Sequence, residues 1–232
     1  MANASIINQI IPYHLGIIID GNRRWAKERM LPSFEGHRRG LEKVKETIKW
    51  AKEKGVKILT FFVFSTENWK RSKEEVGYLM KLAEEAIKNY AHNAQKEEIR
   101  VKVIGQRGKL PLSLKKSIEK AEELTKNNKK MTVNFALSYG GRTEIVEAIK
   151  NIIRKKIPLE RIDEKVISEN LWTSDLDLLI RTGKEQRISN FLIWQAAYSE
   201  LCFIKKYWPD FKKEDLETAF LDYSQRERRF GK

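Results

Sequence analysis

Apolar residues along this chain gather in short runs separated by longer charge-rich stretches in which they recur every three or four positions. The runs at 14–20, 57–64, 100–105, 130–138 and 176–181, with a short one at 201–204, read as strands. The stretches between them, 40–54, 72–93, 112–127, 142–155 and 213–228, read as helices. Leu15 to Ile19 is almost continuously apolar, which suits a strand buried on both faces. Strands alternating with helices imply crossover units, so the expected fold is α/β with a mainly parallel six-stranded sheet flanked by helices. With no linker, repeat or low-complexity tract, residues 1–232 are read as a single domain. Ser72 and Glu75 form a capping box, and the helix that follows sets Val76, Leu79, Met80, Ala83, Ile87 and Tyr90 on one face. That stripe is either core packing against the sheet or the wall of a ligand tunnel between sheet and helices; periodicity leaves both open.

Three of the strand-like runs end in polar clusters. The first, HLGIIIDGNRRWA, delivers Asp20, Gly21, Arg23 and Arg24 at its carboxyl end. In open α/β sheets that end is where ligands bind, and a glycine there lets the next helix present free N–H groups to an anion. An acid beside two arginines suits a metal-bound polyphosphate, although Asp-Gly is also a common turn pair. The second run, KILTFFVF, leads into Ser65, Thr66, Glu67, Asn68, Trp69 and Arg71, and a third, LDLLIRTG, delivers Arg181 and Gly183, followed by Arg187 and Ser189. Arginine's planar fork matches phosphate oxygens, and hydroxyls complete such shells. Glu200 is a lone acid in an apolar stretch, which requires an arginine or a metal as partner. His37 sits between Gly36 and Gly40, and phosphate contact is its functional option. If Asp20 holds a metal, Asp20→Asn is expected to slow turnover by about three orders of magnitude with little effect on folding.

The balance of 46 Lys and Arg against 32 Asp and Glu, a net charge of +14, favours anionic partners: nucleic acid, an acidic membrane surface or a phosphorylated small molecule. Most lysines, however, interleave with glutamate on helices, and no nucleic-acid-binding motif of the usual kinds occurs, so no nucleic-acid partner is expected. Cys202 is the only cysteine, which excludes an internal disulfide and suits a reducing compartment. His14, His37 and His92 form no zinc-ligand pattern. The start MANASIINQIIPYH lacks a basic n-region and is broken by polar residues and Pro12, so it reads as neither signal peptide nor membrane span. A cytoplasmic protein touching membranes at most peripherally is expected. Phosphate-loop, dinucleotide-fingerprint and nucleophile-elbow motifs are absent from the sequence.

DGNRRWA, FSTENWKR, NFALSYGGRTEI, RTGKEQRISNFLIWQAAYSEL and the terminal ERRFG, in that order from about His14 to Gly231, closely resemble the cis-prenyltransferases, above all those of the bacterial undecaprenyl diphosphate synthase type. The resemblance implies a homodimer that joins isopentenyl diphosphate to an allylic diphosphate such as farnesyl diphosphate, each new double bond being cis; transient membrane contact for release of a long apolar product is a separate expectation. By the same resemblance Asp20 and Glu200 hold Mg2+. Gly21, Asn22, Arg23, Arg24, Trp25 and His37 bind the allylic substrate, and Ser65, Thr66, Glu67, Trp69 and Arg71 line the junction of the two substrates. Arg181, Arg187, Ile188 and Ser189 bind isopentenyl diphosphate, aided by Arg229 and Gly231 from the neighbouring subunit. Asn68 stands where the family is assigned a proton acceptor, but an amide is a poor base, and orienting a diphosphate oxygen or a water is chemically easier. Arg23, Ser33, Lys184 and Gln186 depart from the family pattern. The DDxxD pattern of trans-prenyltransferases is missing. A non-catalytic subunit of such an enzyme is the nearest rival, and the survival of Asp20, Asn68 and Arg181 counts against it.

Overall fold

The computed structural model describes residues 9–227. Six parallel strands, β1 (His14–Ile18), β2 (Ile58–Ser65), β3 (Ile99–Ile104), β4 (Met131–Tyr139), β5 (Leu178–Arg181) and β6 (Glu200–Phe203), pair in the order β3-β4-β2-β1-β5-β6. β1 lies at the centre and all five of its residues are buried. The layers around it come from α1 (Asn22–Glu28), α2 (Ser33–Glu53), α3 (Lys73–Lys96), α4 (Leu112–Thr125), α5 (Gly141–Arg154), α6 (Glu164–Asn170) and α7 (Lys213–Gln225). Leu15, Ile17, Leu59, Phe61 and Val133 pack on one face with Trp208, Phe211 and Phe220, while Ile18, Phe62 and Leu179 pack on the other with Phe191.

The expected elements are present and two helices are added. α2 begins at Ser33, seven residues before the expected start, and α1 precedes it. Where an apolar stripe would have advertised the first turns of α2, the buried residues are Gly36 and Gly40. A Cβ on Gly36 would lie 2.0 Å from the Asn22 carbonyl oxygen, and one on Gly40 would lie 2.6 Å from Asn22 Oδ1, so α1 packs against bare backbone. α6 was also unforeseen; Asp163 caps it by accepting the Val166 N–H at 2.8 Å.

Toward its carboxyl end β2 slips register against β4: Phe62 faces Ala136 but Phe64 faces Leu137, and Ser65 then faces Tyr139. Val63 is the extra residue on one strand and Ser138, in the left-handed region at φ 52°, the compensating one on the other. Such bulges bend a strand and re-aim its exit. At the opposite end a buried polar row crosses the sheet. His14 Nδ1 donates to the carbonyls of Ser174 and Asp175 at 3.1 and 2.9 Å, and Nε2 accepts the Thr60 hydroxyl at 2.7 Å. Thr60 accepts Asn134 Nδ2 at 3.0 Å, which also reaches Thr173.

Burial pushes the His14 imidazole down to about 4, with the backbone carbonyls and Asp177 only partly opposing it. The unfolded chain therefore takes up a proton near pH 6.5 that the folded chain refuses until about pH 4. Stability contributed by neutral His14 is complete above pH 6.5 and lost as pH falls toward 4, by ~3 kcal/mol. Denaturant titrations across that window should show this slope, and His14→Asn, though less stable throughout, should flatten it.

Candidate active site

The register of β1 with β5 sets Ile18 level with Arg181, so the sheet itself brings together an acid and an arginine 161 positions apart. Arg181 Nη2 donates to Asp20 Oδ2 at 2.9 Å, and Arg24 Nη2 lies 3.2 Å from the same oxygen. Asp20 Oδ1 takes no donor among the described residues. The Arg181 side chain is 5% exposed; its Nη1 donates to Ser189 Oγ at 2.8 Å and to the Arg187 carbonyl. The Asp20 backbone is held as firmly. Its N–H donates to Thr182 Oγ1 at 3.1 Å, and its carbonyl accepts the Trp208 N–H at 3.0 Å. Gly21 turns at φ 105°, with Tyr207 packed so close that a Cβ would lie 2.6 Å from the ring.

Beyond the β2 bulge the chain closes into a tight 3-10 turn over Thr66–Lys70. Asn68 Oδ1 accepts the Ser65 N–H at 3.0 Å while the Ser65 hydroxyl accepts the Asn68 N–H. The acceptor of the Asn68 amide is thus engaged, and its NH2 remains for a ligand. Desolvation raises the Glu67 carboxyl, but bonds from its own N–H, Ser65, Thr66 and Asn190 outweigh this and hold it below its ordinary value. Glu75, in the first turn of α3, gathers Arg71 Nη1 at 3.0 Å and Arg23 Nη1 at 3.6 Å. His37 Nε2 lies 3.4 Å from Glu75 without hydrogen-bond geometry, and burial lowers its pKa despite that carboxylate.

Most of these groups line one cleft of about 1110 Å³, Glu75 standing behind it. Of the residues expected from the sequence, it brings together Asp20, Gly21, Asn22, Arg23, Arg24, His37, Ser65, Glu67, Asn68, Arg71, Arg181 and Ser189. Trp25 is turned to Asp210, to which its indole donates at 2.7 Å, and Trp69 donates to Ser138 Oγ at 2.9 Å while packing on Phe64. Both act as supports of the wall. Thr66 lies against Gly140, Ile188 packs beside Phe191, and the Arg187 side chain pairs with Glu185 at 2.7 Å. Glu200 is not brought to the cleft. It starts β6, level with Leu178 and Leu15, ~16 Å of strand rise from Asp20, and Arg226 Nη1 donates to it at 2.6 Å. Within one chain Glu200 and Asp20 share no ion. Arg229 and Gly231 lie outside the described residues. Sequence reasoning missed Lys27 and Asn190, which line the cleft, and Tyr207, which shapes Gly21 from far along the chain.

The cleft shares Ile19, Val63 and Leu79 as walls with a narrow apolar cavity of about 110 Å³ between the sheet, α2 and α3. Leu79, Met80, Ala83, Ile87 and Tyr90 line it from α3, facing Leu41, Val44 and Ile48 of α2. The expected stripe therefore lines this cavity and packs in the core as well; Val76 packs in the neighbouring core. Among the described residues no group of three or more His, Cys, Asp or Glu stands ready to hold a metal, and no helix is long and apolar enough to cross a membrane.

A family model described as putative undecaprenyl diphosphate synthase matches residues 18–231. The isoprenyl transferase of Bacillus cereus is 49% identical over 95% of this chain and 88% of its own. That of Thermotoga maritima is 48% identical over 95% and 97%. Among solved structures, lavandulyl diphosphate synthase from Lavandula x intermedia, in complex with dimethylallyl diphosphate, superposes with a TM-score of 0.89 at 38% identity, covering 95% of this chain and 98% of that one. A probable undecaprenyl diphosphate synthase from Campylobacter jejuni gives 0.83 at 32%, covering 96% and 100%.

The pairing of Asp20 with an enclosed guanidinium argues against the expectation that removing the acid has little effect on folding. Asp20→Asn strips a buried cation of its nearest anion, at a cost of ~2 kcal/mol, less than for a fully enclosed pair because Asp20 is partly exposed. Urea denaturation of the parent and Asp20→Asn should show that loss without a change in m-value.

Proposed function

The chain belongs to the undecaprenyl diphosphate synthase family, and we propose that it is a magnesium-dependent cis-prenyltransferase, adding isopentenyl diphosphate units to an allylic diphosphate such as farnesyl diphosphate to give a long-chain polyprenyl diphosphate. The observation that carries this reading is the joining of two unlike compartments: an arginine-lined cleft for diphosphates and an apolar channel leading away from it. An amphiphile with a charged head and a growing hydrocarbon tail fits that division.

Asp20 fits Mg2+: one oxygen is free of protein donors, and this ion usually binds through one or two carboxylates together with substrate phosphates and water rather than an all-protein cage. When bound, Mg2+ supplies Lewis-acid stabilisation of the charge that develops on a departing diphosphate. The chain's own residues do the rest. Arg23, Arg24 and Arg71 hold the allylic diphosphate, with neutral His37 beside them, while Arg181 and Ser189 hold the diphosphate of isopentenyl diphosphate. Asn68, its carbonyl already engaged, donates its NH2 to a diphosphate oxygen, and the proton lost after condensation passes to that diphosphate or to water. In one chain Glu200 contributes to none of this.

Each five-carbon unit buried in the channel adds at most ~4 kcal/mol of affinity, so a long product leaves slowly and is best received by a membrane. The resting channel is smaller than the ~150 Å³ cavity that holds a benzene, so growth requires α2 and α3 to part. Phe34 and Tyr78, 5.9 Å apart, bridge those helices at the cleft side. The exposed stripe Val146, Ile149 and Ile153 on α5 supports assembly of two copies, which the resemblance also implies. The named structural relatives are synthases of different products on one fold, so fold alone leaves chain length open.

The direct test is incubation with labelled isopentenyl diphosphate, farnesyl diphosphate and Mg2+, with products resolved by length; absence of any longer prenyl diphosphate would refute the reading. In that assay Asp20→Asn should turn over about three orders of magnitude more slowly. Asn68→Ala should lose about 100-fold, and Asn68→Asp more, since an anion replaces the donor. A general base at this position would make the aspartate the better variant. Ala83→Leu should shorten the products at unchanged thermal midpoint, because its added carbons project into the channel.

A further inference from the structure

The loop after β5 carries Ser189, which fixes Arg181, and it runs through left-handed backbone at Ser189 (φ 49°), Asn190 (φ 64°) and Leu192 (φ 45°). That conformation is unfavourable for residues with a Cβ, asparagine tolerating it best. Its persistence in three of four positions means that the surroundings over-determine it. Asn190 is where they act. Its carbonyl accepts the Gly141 N–H at 2.7 Å and its Oδ1 accepts the Arg142 N–H at 2.9 Å, both at the start of α5. Its Nδ2 donates to Glu67 Oε1 at 3.4 Å, the loosest of the three ties.

Space has been cleared for this seat. A Cβ on Gly140 would lie 2.8 Å from Asn190 Nδ2 and 2.9 Å from Thr66 Oγ1, and one on Gly141 would lie 3.1 Å from the Asn190 carbonyl oxygen. Gly140 has an extended backbone open to any residue, so its lack of a side chain answers to crowding rather than to conformation. Asn190 is thus wedged between two arms of the cleft, the turn bearing Glu67 and Asn68 and the loop bearing Ser189, with the first turn of α5 behind it.

We propose that Asn190 is a positioning residue that ties the Ser189–Arg181 arm to the Glu67–Asn68 turn, and so sets the separation of the two diphosphate sites across which the new bond forms. Loosening the tie leaves each half able to bind but spoils their mutual alignment, to which condensation is sensitive at the ångström level. This rests on the reading of the cleft as a prenyltransferase site.

The test separates alignment from stability with Asn190→Asp. Aspartate tolerates the left-handed backbone, keeps the acceptor for the Arg142 N–H and sits favourably at a helix start, so the thermal midpoint should hold or rise. It faces the Glu67 carboxylate with like charge, however, and kcat/KM for isopentenyl diphosphate should fall at least about tenfold. Gly140→Ala should produce a similar kinetic loss by displacing Nδ2. Joining Asn190→Asp with Glu67→Gln restores a donor–acceptor pair with its polarity reversed, and the loss in the double variant should be smaller than the product of the single losses. Kinetics in Asn190→Asp within twofold of the parent, or losses that simply multiply in the double variant, would overturn the proposal. A parent that forms no prenyl diphosphate would remove the reading of the site and this proposal with it.

Discussion

The ion pair between Asp20 and Arg181, across the carboxyl ends of two neighbouring parallel strands, is the constraint around which the cleft is arranged. A guanidinium as enclosed as that of Arg181 has to meet its charge with an anion and its donors with acceptors. Asp20, Ser189 and the Arg187 carbonyl meet the charge and the two terminal nitrogens from two separate loops, while Nε is left without an acceptor among the described residues. Satisfying one side chain therefore orders both loops. The same carboxylate keeps one oxygen free at the cleft, so a group needed for architecture also offers an acceptor to whatever the cleft binds.

Close backbone approach is the second device. Gly36 and Gly40 let α1 lie directly on α2, which delivers Arg23 and Arg24 to the cleft beside Asp20. Paired register shifts in β2 and β4 turn Val63 toward the junction of cleft and channel and let Ser138 receive the Trp69 indole. The 3-10 turn that follows holds Asn68 by its carbonyl, so the amide's orientation follows from the backbone rather than from a ligand. The buried row from His14 through Thr60 to Asn134 acts at the other end of the sheet. Each of its bonds joins neighbouring strands, and a slip in register would leave several polar groups unpaired in the interior.

Much of this was legible in the sequence because strand-length apolar runs and their polar ends are local signals. Asp20 and Arg181 close such runs and Ser65 and Asn68 come within four positions of one, and a parallel sheet necessarily carries its strand ends to one edge. The first turns of α2 stayed hidden because glycines occupy the contact positions that apolar residues would otherwise mark. Trp25 and Trp69 sit inside site motifs yet face Asp210 and Ser138, since an indole finds its hydrogen-bond partner in space and not in sequence. Glu200 illustrates the limit most plainly. Its need for a cation was readable, but the identity of that cation, Arg226, depended on α7 returning along the edge strand.

By itself the sequence determined the α/β alternation, the strand ends that carry chemistry and the family, since all are written in residue types and short spacings. Tertiary structure alone decided which charges neutralise one another, that Tyr207 closes on Gly21, that Asn190 bridges two arms of the cleft, and that the apolar stripe of α3 borders a cavity as well as a core. The reason is physical: burial and charge compensation depend on distances between residues far apart in the chain, and those distances exist only once the sheet register and helix packing are set.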